Sequence, residues 1–257
     1  MTIVREETYD AHLLSFVLRL ADSALIASQR MAEWCGVAPM LEEDIALSNV
    51  ALDLLGQSRH LFTYASDLEG GSRSEDDFAF LRDPHEYLNY IIAELPNGDF
   101  AQSCTKSFLF SSFAKTVWSS LLDANDSRLR DIAAKSLKET NYHVEHFSSW
   151  FIRLGDGTDT SRQKILEGLD YVWPYTNEFF DDDSILISLE GVLKMKTNTL
   201  WTKWIEGVTN VFASARIDLP STPDFICSGK YGIHSEHLGH ILAEMQYLQR
   251  AYPGGRW

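Results

Sequence analysis

The sequence predicts an all-α fold, a bundle of four long helices with further helices appended towards the C-terminus. Three observations predict it. Apolar residues recur at steps of three and four through long segments. Pro and Gly are few, at 7 and 15 of 257 residues. No segment alternates apolar and polar residues between turn signals, as a half-buried strand would.

The Pro and Gly residues gather at 36–39, 70–74, 96–98, 155–157, 220–223 and 252–255, and these stretches divide the chain into helical segments. Residues 11–34 place Leu14, Val17, Leu18, Ala21, Ala24, Leu25, Ser28 and Met31 on one stripe. Residues 42–68 do the same with Leu47, Ala51, Leu55, Ser58, Phe62 and Ala65. Residues 99–123 follow with Phe100, Cys104, Phe108, Ser111, Ala114, Trp118 and Leu121, and 127–154 with Ala133, Leu137, Thr140, Val144, Phe147 and Phe151. Each is long enough to span about 35 Å at 1.5 Å per residue, the length of a four-helix-bundle member. Three further helices are expected at about 162–180, 185–215 and 234–251, within one domain covering 1–257.

A hydrophobic share of 45% is ample for a core and excludes a mainly disordered chain. The formal charge of −15, with no Lys/Arg-rich window, argues against nucleic acid as a partner. Cys35, Cys104 and Cys227 are far apart with no CxxC spacing, so they read as reduced thiols of a cytoplasmic protein. The first apolar segment is interrupted by Arg19 and Asp22, and no run reaches the roughly 20 apolar residues of a membrane span. A soluble protein is expected, with no membrane partner.

Bundles of long helices commonly house a di-iron site, built from one Glu on each of two helices and a Glu-x-x-His pair on each of the other two. Reading back three residues from the eight histidines gives Tyr9, Gln57, Arg82, Thr140, His143, Tyr231, His234 and His237, so neither Glu-x-x-His nor Asp-x-x-His occurs. The third long segment has no acid between Asp99 and Asp123, and its only charges are Lys106 and Lys115. On the first, the mid-helix acid Asp22 falls about 110° from the centre of the apolar stripe, which places it towards solvent. Two polar strips remain: Asn49, Asp53, Gly56 and His60 on the second segment, and Glu139, His143 and His146 beside Ile132 and Trp150 on the fourth. They read as solvated faces or as a contact between subunits. The rival reading is a di-iron oxygenase with the unconventional ligands Asp53, His60, Glu139 and His143, which lacks at least one further carboxylate.

His234, His237 and His240 lie on the last segment, yet His234 and His240 would be about 9 Å apart along the axis and about 120° apart around it, so at most two could share an ion. They read as capping, core-edge or partner-contact residues, with Ser235 and Glu236 at the helix start. No nucleophile elbow, phosphate loop or dinucleotide fingerprint is present. The GDG at 155–157 reads as a helix end and turn. Acid pairs at Glu42/Glu43, Glu75/Asp76/Asp77 and Asp181/Asp182/Asp183 sit where they favour a following helix N-terminus. The aromatic set Trp118, Trp150, Phe151, Trp173, Tyr175, Phe179, Phe180, Trp201, Trp204 and Phe212 reads mostly as core, with some members suited to a large permanent interface.

Four blocks, EEDIALSNVALDLLGQSR at 42–59, NYHVEHFSSWFIRLGDGTDTSRQK at 141–164, VWPYTNEFF at 172–180 and KYGIHSEHLGHILAEMQYLQRAYPGGRW at 230–257, resemble the PaaC subunits of bacterial phenylacetyl-CoA epoxidases, the ring-1,2-phenylacetyl-CoA monooxygenases. The blocks keep the family's order, and the resemblance runs through nearly the whole length. It implies a ferritin-like fold and a structural subunit without an active site, paired with a di-iron catalytic subunit of the PaaA type. It also implies a PaaB-type accessory subunit and a reductase that carries FAD and an iron–sulfur centre and takes electrons from NADPH. A homodimer of the isolated chain is compatible with it. The family's degenerate ligand positions correspond to Asp53-x-x-Gly56 and Glu139-x-x-Tyr142, with Gly56 and Tyr142 in place of histidines. In such a vestigial site Lys106 or Lys115 would supply the missing metal's charge by pairing with Glu139 or Asp53. A stand-alone acyl-CoA-binding helical protein is the remaining alternative.

Overall fold

The computed structural model describes residues 2–221 and 226–255, so the turn expected at 220–223 lies partly outside the described residues. Eleven α-helices occur among them: α1 (Thr2–Ala32), α2 (Leu41–Leu68), α3 (Glu75–Phe80), α4 (Ile91–Glu94), α5 (Phe100–Leu121), α6 (Ser127–Gly155), α7 (Asp159–Val172), α8 (Ser184–Leu193), α9 (Thr197–Ser214), α10 (Glu236–Met245) and α11 (Tyr247–Ala251). Short 3₁₀ segments lie at Pro84–Glu86, Trp173–Phe180 and Gly229–Tyr231. No strand is present among the described residues, and a single bridge pairs Ser228 with Ile233. The fold is all-α, and the four long segments are α1, α2, α5 and α6. The chain divides into two compact units, one from residues 1–96 with 228–257 and one from 97–227.

Three expected helices are interrupted, each for a local reason. The segment 162–180 turns from α-helix to 3₁₀ at Trp173–Pro174, because proline lacks the N–H that would continue the ladder and its ring crowds the preceding turn. The segment 185–215 breaks where Lys194 adopts a left-handed conformation with φ of 53° as the C-cap of α8. The segment 234–251 breaks at Gln246, whose side-chain Nε2 donates to the Arg82 carbonyl at 3.0 Å and to the Tyr87 hydroxyl at 3.1 Å. The acid pairs sit as expected, with Glu42 and Glu43 in the first turn of α2, Glu75 to Asp77 in that of α3, and Asp183 capping α8. The GDG at 155–157 ends α6, and Thr158 caps α7.

In the first unit α1 packs against α2, with the Ser28 hydroxyl donating to the Ala51 carbonyl at 2.7 Å. Every residue of α1 from 16 to 28 is buried, so this helix is enclosed on all sides. Residues 10–32 are long and apolar enough to cross a membrane by length and composition, but 78% of their most apolar 18-residue stretch is buried inside the protein. Its two central charges are also buried. Contrary to the wheel, Asp22 is fully enclosed and forms a two-pronged ion pair with Arg82, whose Nη1 lies 3.1 Å from Asp22 Oδ2. The wheel misplaces Asp22 because it sees only the residues of its own helix. The partner comes from the irregular stretch after α3, and the Leu88 N–H also donates to Asp22 Oδ2 at 2.8 Å. Burial alone would lower the Arg82 pKa, but the Asp22 carboxylate outweighs it and holds the guanidinium above its ordinary value.

The second unit is built differently, around stacked rings. Phe113 lies on Phe179 at 4.1 Å between centroids, Trp173 on Trp204 at 5.7 Å and Phe151 on Phe212 at 4.9 Å. Trp204 is buried, with its indole N–H donating to the Leu109 carbonyl at 3.3 Å, so these aromatics are core. Helix α7 approaches α5 closely at Gly168, where an added Cβ would lie 2.9 Å from the Gln102 Cα. Asp99 caps α5 and forms an ion pair with Lys164 of α7 at 2.5 Å, which fixes the same contact at its rim.

The buried pair gives a direct prediction. Asp22→Asn leaves the Arg82 charge uncompensated and should cost about 3–5 kcal/mol in denaturant unfolding, whereas Asp22→Leu combined with Arg82→Met should recover most of that loss.

Candidate functional site

The two strips singled out from the sequence lie on α2 in the first unit and on α6 in the second. On α2, Asp53 and Gly56 are half-buried and His60 is exposed. A Cβ built at Gly56 meets nothing within 4 Å, so that position opens onto free space. On α6, Glu139 is half-buried, and Tyr142 is 47% exposed and stacks on His146 at 5.8 Å between ring centroids. Tyr142 thus lies on an open face, opposite the apolar stripe.

The interior positions lie one residue further along. The inward i,i+3 pair on α6 is Thr140 and His143, at 1% and 2% exposure, and on α2 the buried pair is Leu54 and Gln57. The buried face of α6 therefore keeps a histidine and presents a hydroxyl three residues before it. On α5, Lys106 is buried and its Nζ donates to Asn97 Oδ1 at 2.9 Å, while Lys115 is half-buried. Neither lysine stands in open solvent.

The most elaborate polar cluster is one that sequence reasoning missed. Glu94, at the end of α4, is fully enclosed, and its carboxylate receives three donors. Asn89 Nδ2 approaches Oε2 at 2.9 Å, His234 Nδ1 approaches the same oxygen at 2.9 Å, and the Ser235 N–H donates to Oε1 at 2.7 Å. His234 Nε2 lies 2.7 Å from the Tyr87 carbonyl oxygen. Burial alone would lower the imidazole pKa, but the Glu94 carboxylate, the Tyr87 carbonyl and the nearby Asp22 charge outweigh it and hold the value above 6.5. Burial raises the Tyr87 phenol, whose hydroxyl donates to the Ala79 carbonyl at 2.5 Å. The readable signal was YLNYIIAEL at 87–95, an apolar run that embeds a single carboxylate.

The three C-terminal histidines have separate surroundings. His234 has a buried side chain, His237 is half-buried and His240 is exposed, and Ser235 caps α10 by accepting from the His237 N–H at 3.3 Å. Among the described residues no group of three or more His, Cys, Asp or Glu side chains converges as metal ligands would. None of the three cysteines is in a disulfide, with Cys104 buried and Cys35 exposed. Two of the buried carboxylates, Asp22 and Glu94, are held by Arg82 and His234.

The open surroundings of Gly56 can be tested directly. Gly56→Ala should stabilise the chain by roughly 0.5–1 kcal/mol, because alanine favours the helix interior and has room here, and thermal unfolding would read it as a raised Tm.

Comparison with known proteins agrees along the length of the chain. A family model described as "Phenylacetic acid catabolic protein" matches residues 2–257. One of the subunits, designated C, of the 1,2-phenylacetyl-CoA epoxidase of Escherichia coli (strain K12) is 41% identical over 246 residues, which covers 95% of this chain and 99% of that protein. With a match that spans both of its units, the chain belongs to the phenylacetic acid catabolic protein family.

Proposed function

We propose that this chain is a non-catalytic structural subunit of a multicomponent phenylacetyl-CoA epoxidase in phenylacetate catabolism, paired in the cytoplasm with a di-iron catalytic subunit of the PaaA type. The observation that carries the reading is near-full-length similarity to a protein named as a subunit of such an enzyme. The chain's own chemistry supports it. Helix α5 has no carboxylate between its ends, α6 turns Thr140 and His143 inward where a Glu-x-x-His pair would be needed, and His60 is exposed.

In this reading iron and oxygen chemistry belong to the partner, which would add one oxygen atom of O₂ across a ring carbon–carbon bond to form the 1,2-epoxide and release the other as water, with two electrons and two protons consumed. Electrons come from NADPH through a reductase with FAD and an iron–sulfur centre, and the assembly is completed by a PaaB-type accessory subunit. This chain supplies a stable surface for the catalytic subunit. Its acids Asp22 and Glu94 serve internal packing, and its aromatics fill the second unit.

The test is metal analysis of the isolated chain beside the co-expressed complex. The isolated chain should hold no stoichiometric iron and show no oxygenase activity, while the complex holds iron and epoxidises phenylacetyl-CoA. One or two tightly bound irons per isolated chain would instead support a di-iron site of its own, drawn from Asp53, His60, Glu139 and His143. Failure to co-purify with any catalytic subunit would favour a stand-alone acyl-CoA-binding protein.

A further inference from the structure

Glu94 and His234 occupy a particular place in the chain. Glu94 comes just before residue 97, where the chain leaves the first unit, and His234 comes just after residue 227, where it returns. Their 2.9 Å contact therefore closes the neck of the first unit, within that unit. The His234 and Glu94 side chains are 5% and 0% exposed, so water does not screen the pair.

The hydrogen-bond chemistry restricts the protonation state. One imidazole nitrogen faces a carboxylate oxygen and the other faces a backbone carbonyl oxygen. A carbonyl can only accept, and both Glu94 oxygens already act as acceptors, Oε2 from Asn89 Nδ2 and Oε1 from the Ser235 N–H. Both ring nitrogens must therefore donate, which only the imidazolium can do. A neutral ring would leave a buried lone pair against an acceptor, and that is costly inside a protein.

We propose that the His234–Glu94 pair is a proton-dependent clasp that holds residues 228–241 against residues 79–94 only while the imidazole is a cation. The surrounding charges come from every element packed there. Asp22 of α1 and Glu94 of α4 favour the cation. Arg82, neutralised by Asp22, lies on the 79–94 side, and Arg30 binds the Glu94 backbone carbonyl at 2.8 Å. Arg19 and Lys230 flank the Tyr231 ring at 5.5 and 5.4 Å, and Glu236, His237 and His240 follow on α10. Two other contacts, Gln246 on the Arg82 carbonyl and Arg250 on Asp83, keep the far end of the segment in place.

The sign follows from the raised imidazole. Below the ordinary value of 6.5 the ring is charged in both folded and unfolded chains, and the clasp contributes fully. Its contribution is lost as pH rises through the higher folded value. The clasp does not depend on the chain's place in an oxygenase.

The experiment uses the full chain with ¹⁵N-labelled histidine. Ring-nitrogen shifts should show His234 protonated at both positions at pH 6, and its titration should lie above the ordinary imidazole value. Hydrogen exchange, normalised for the intrinsic pH dependence of amide exchange, should show loss of protection in 229–241 through that titration, while α5 stays protected. In His234→Gln the same protection should be reduced at every pH, with no titration step. A neutral single-tautomer ring at pH 6, protection of 229–241 that does not change with pH in the natural chain, or an unchanged step in His234→Gln would each overturn the clasp. If the variant does not fold, the natural chain alone still decides.

Discussion

A carboxylate in the middle of an enclosed helix is the constraint around which the first unit is organised. Moving an ion out of water costs several kcal/mol even after the protein relaxes, so Asp22 must be met by charge and by hydrogen-bond donors. Arg82 and the Leu88 N–H meet it, and this obliges the irregular chain between α3 and α4 to lie along α1. Arg82 is fixed in turn by the Phe78 carbonyl at 2.7 Å and the Glu86 carbonyl at 3.0 Å. The carbonyls of Arg82 and Tyr87 then serve the C-terminal segment, through Gln246, Arg250 and His234. One buried acid thus sets the course of three stretches of chain that are distant in sequence.

The second unit draws on a different kind of contact. Its specificity comes from ring geometry, with Phe113 on Phe179 and Trp204 between Trp173 and Phe180, and from the close contact of Gly168 with the backbone at Gln102. Its buried Lys106 donates to the Asn97 side-chain oxygen at 2.9 Å.

The long helices were legible because a 3.6-residue period repeated over 20 or more residues overwhelms local noise, and α1, α2, α5 and α6 lie within a few residues of the expected bounds, apart from the N-terminal turns of α1. Asp22 was not, because a helical wheel measures distance from a helix's own apolar stripe and cannot see a partner from elsewhere. The same limit explains the strips on α2 and α6. Asp53 and Glu139 sit beside the interior, while Gln57, met in the sequence only as the residue three before His60, and Thr140, already on the apolar stripe of its segment, are the ones turned inward. The stretch 75–95 was hardest to read, since α3 and α4 are short and their placement rests on tertiary hydrogen bonds rather than on periodicity.

The division of the first unit between the two ends of the chain has a consequence for synthesis. Its first 96 residues leave the ribosome with a helix that, between residues 16 and 28, has no solvent-facing side in the folded protein, yet residues 228–251, which complete the unit, emerge only after the whole of 97–227. At cellular elongation rates that delay is on the order of ten seconds. The second unit, continuous in sequence, can condense during the wait, while the first holds apolar surface open until its last helices arrive. Newly made chains of this protein are thus most exposed to aggregation, and most in need of a chaperone, in a window set by the length of the inserted unit.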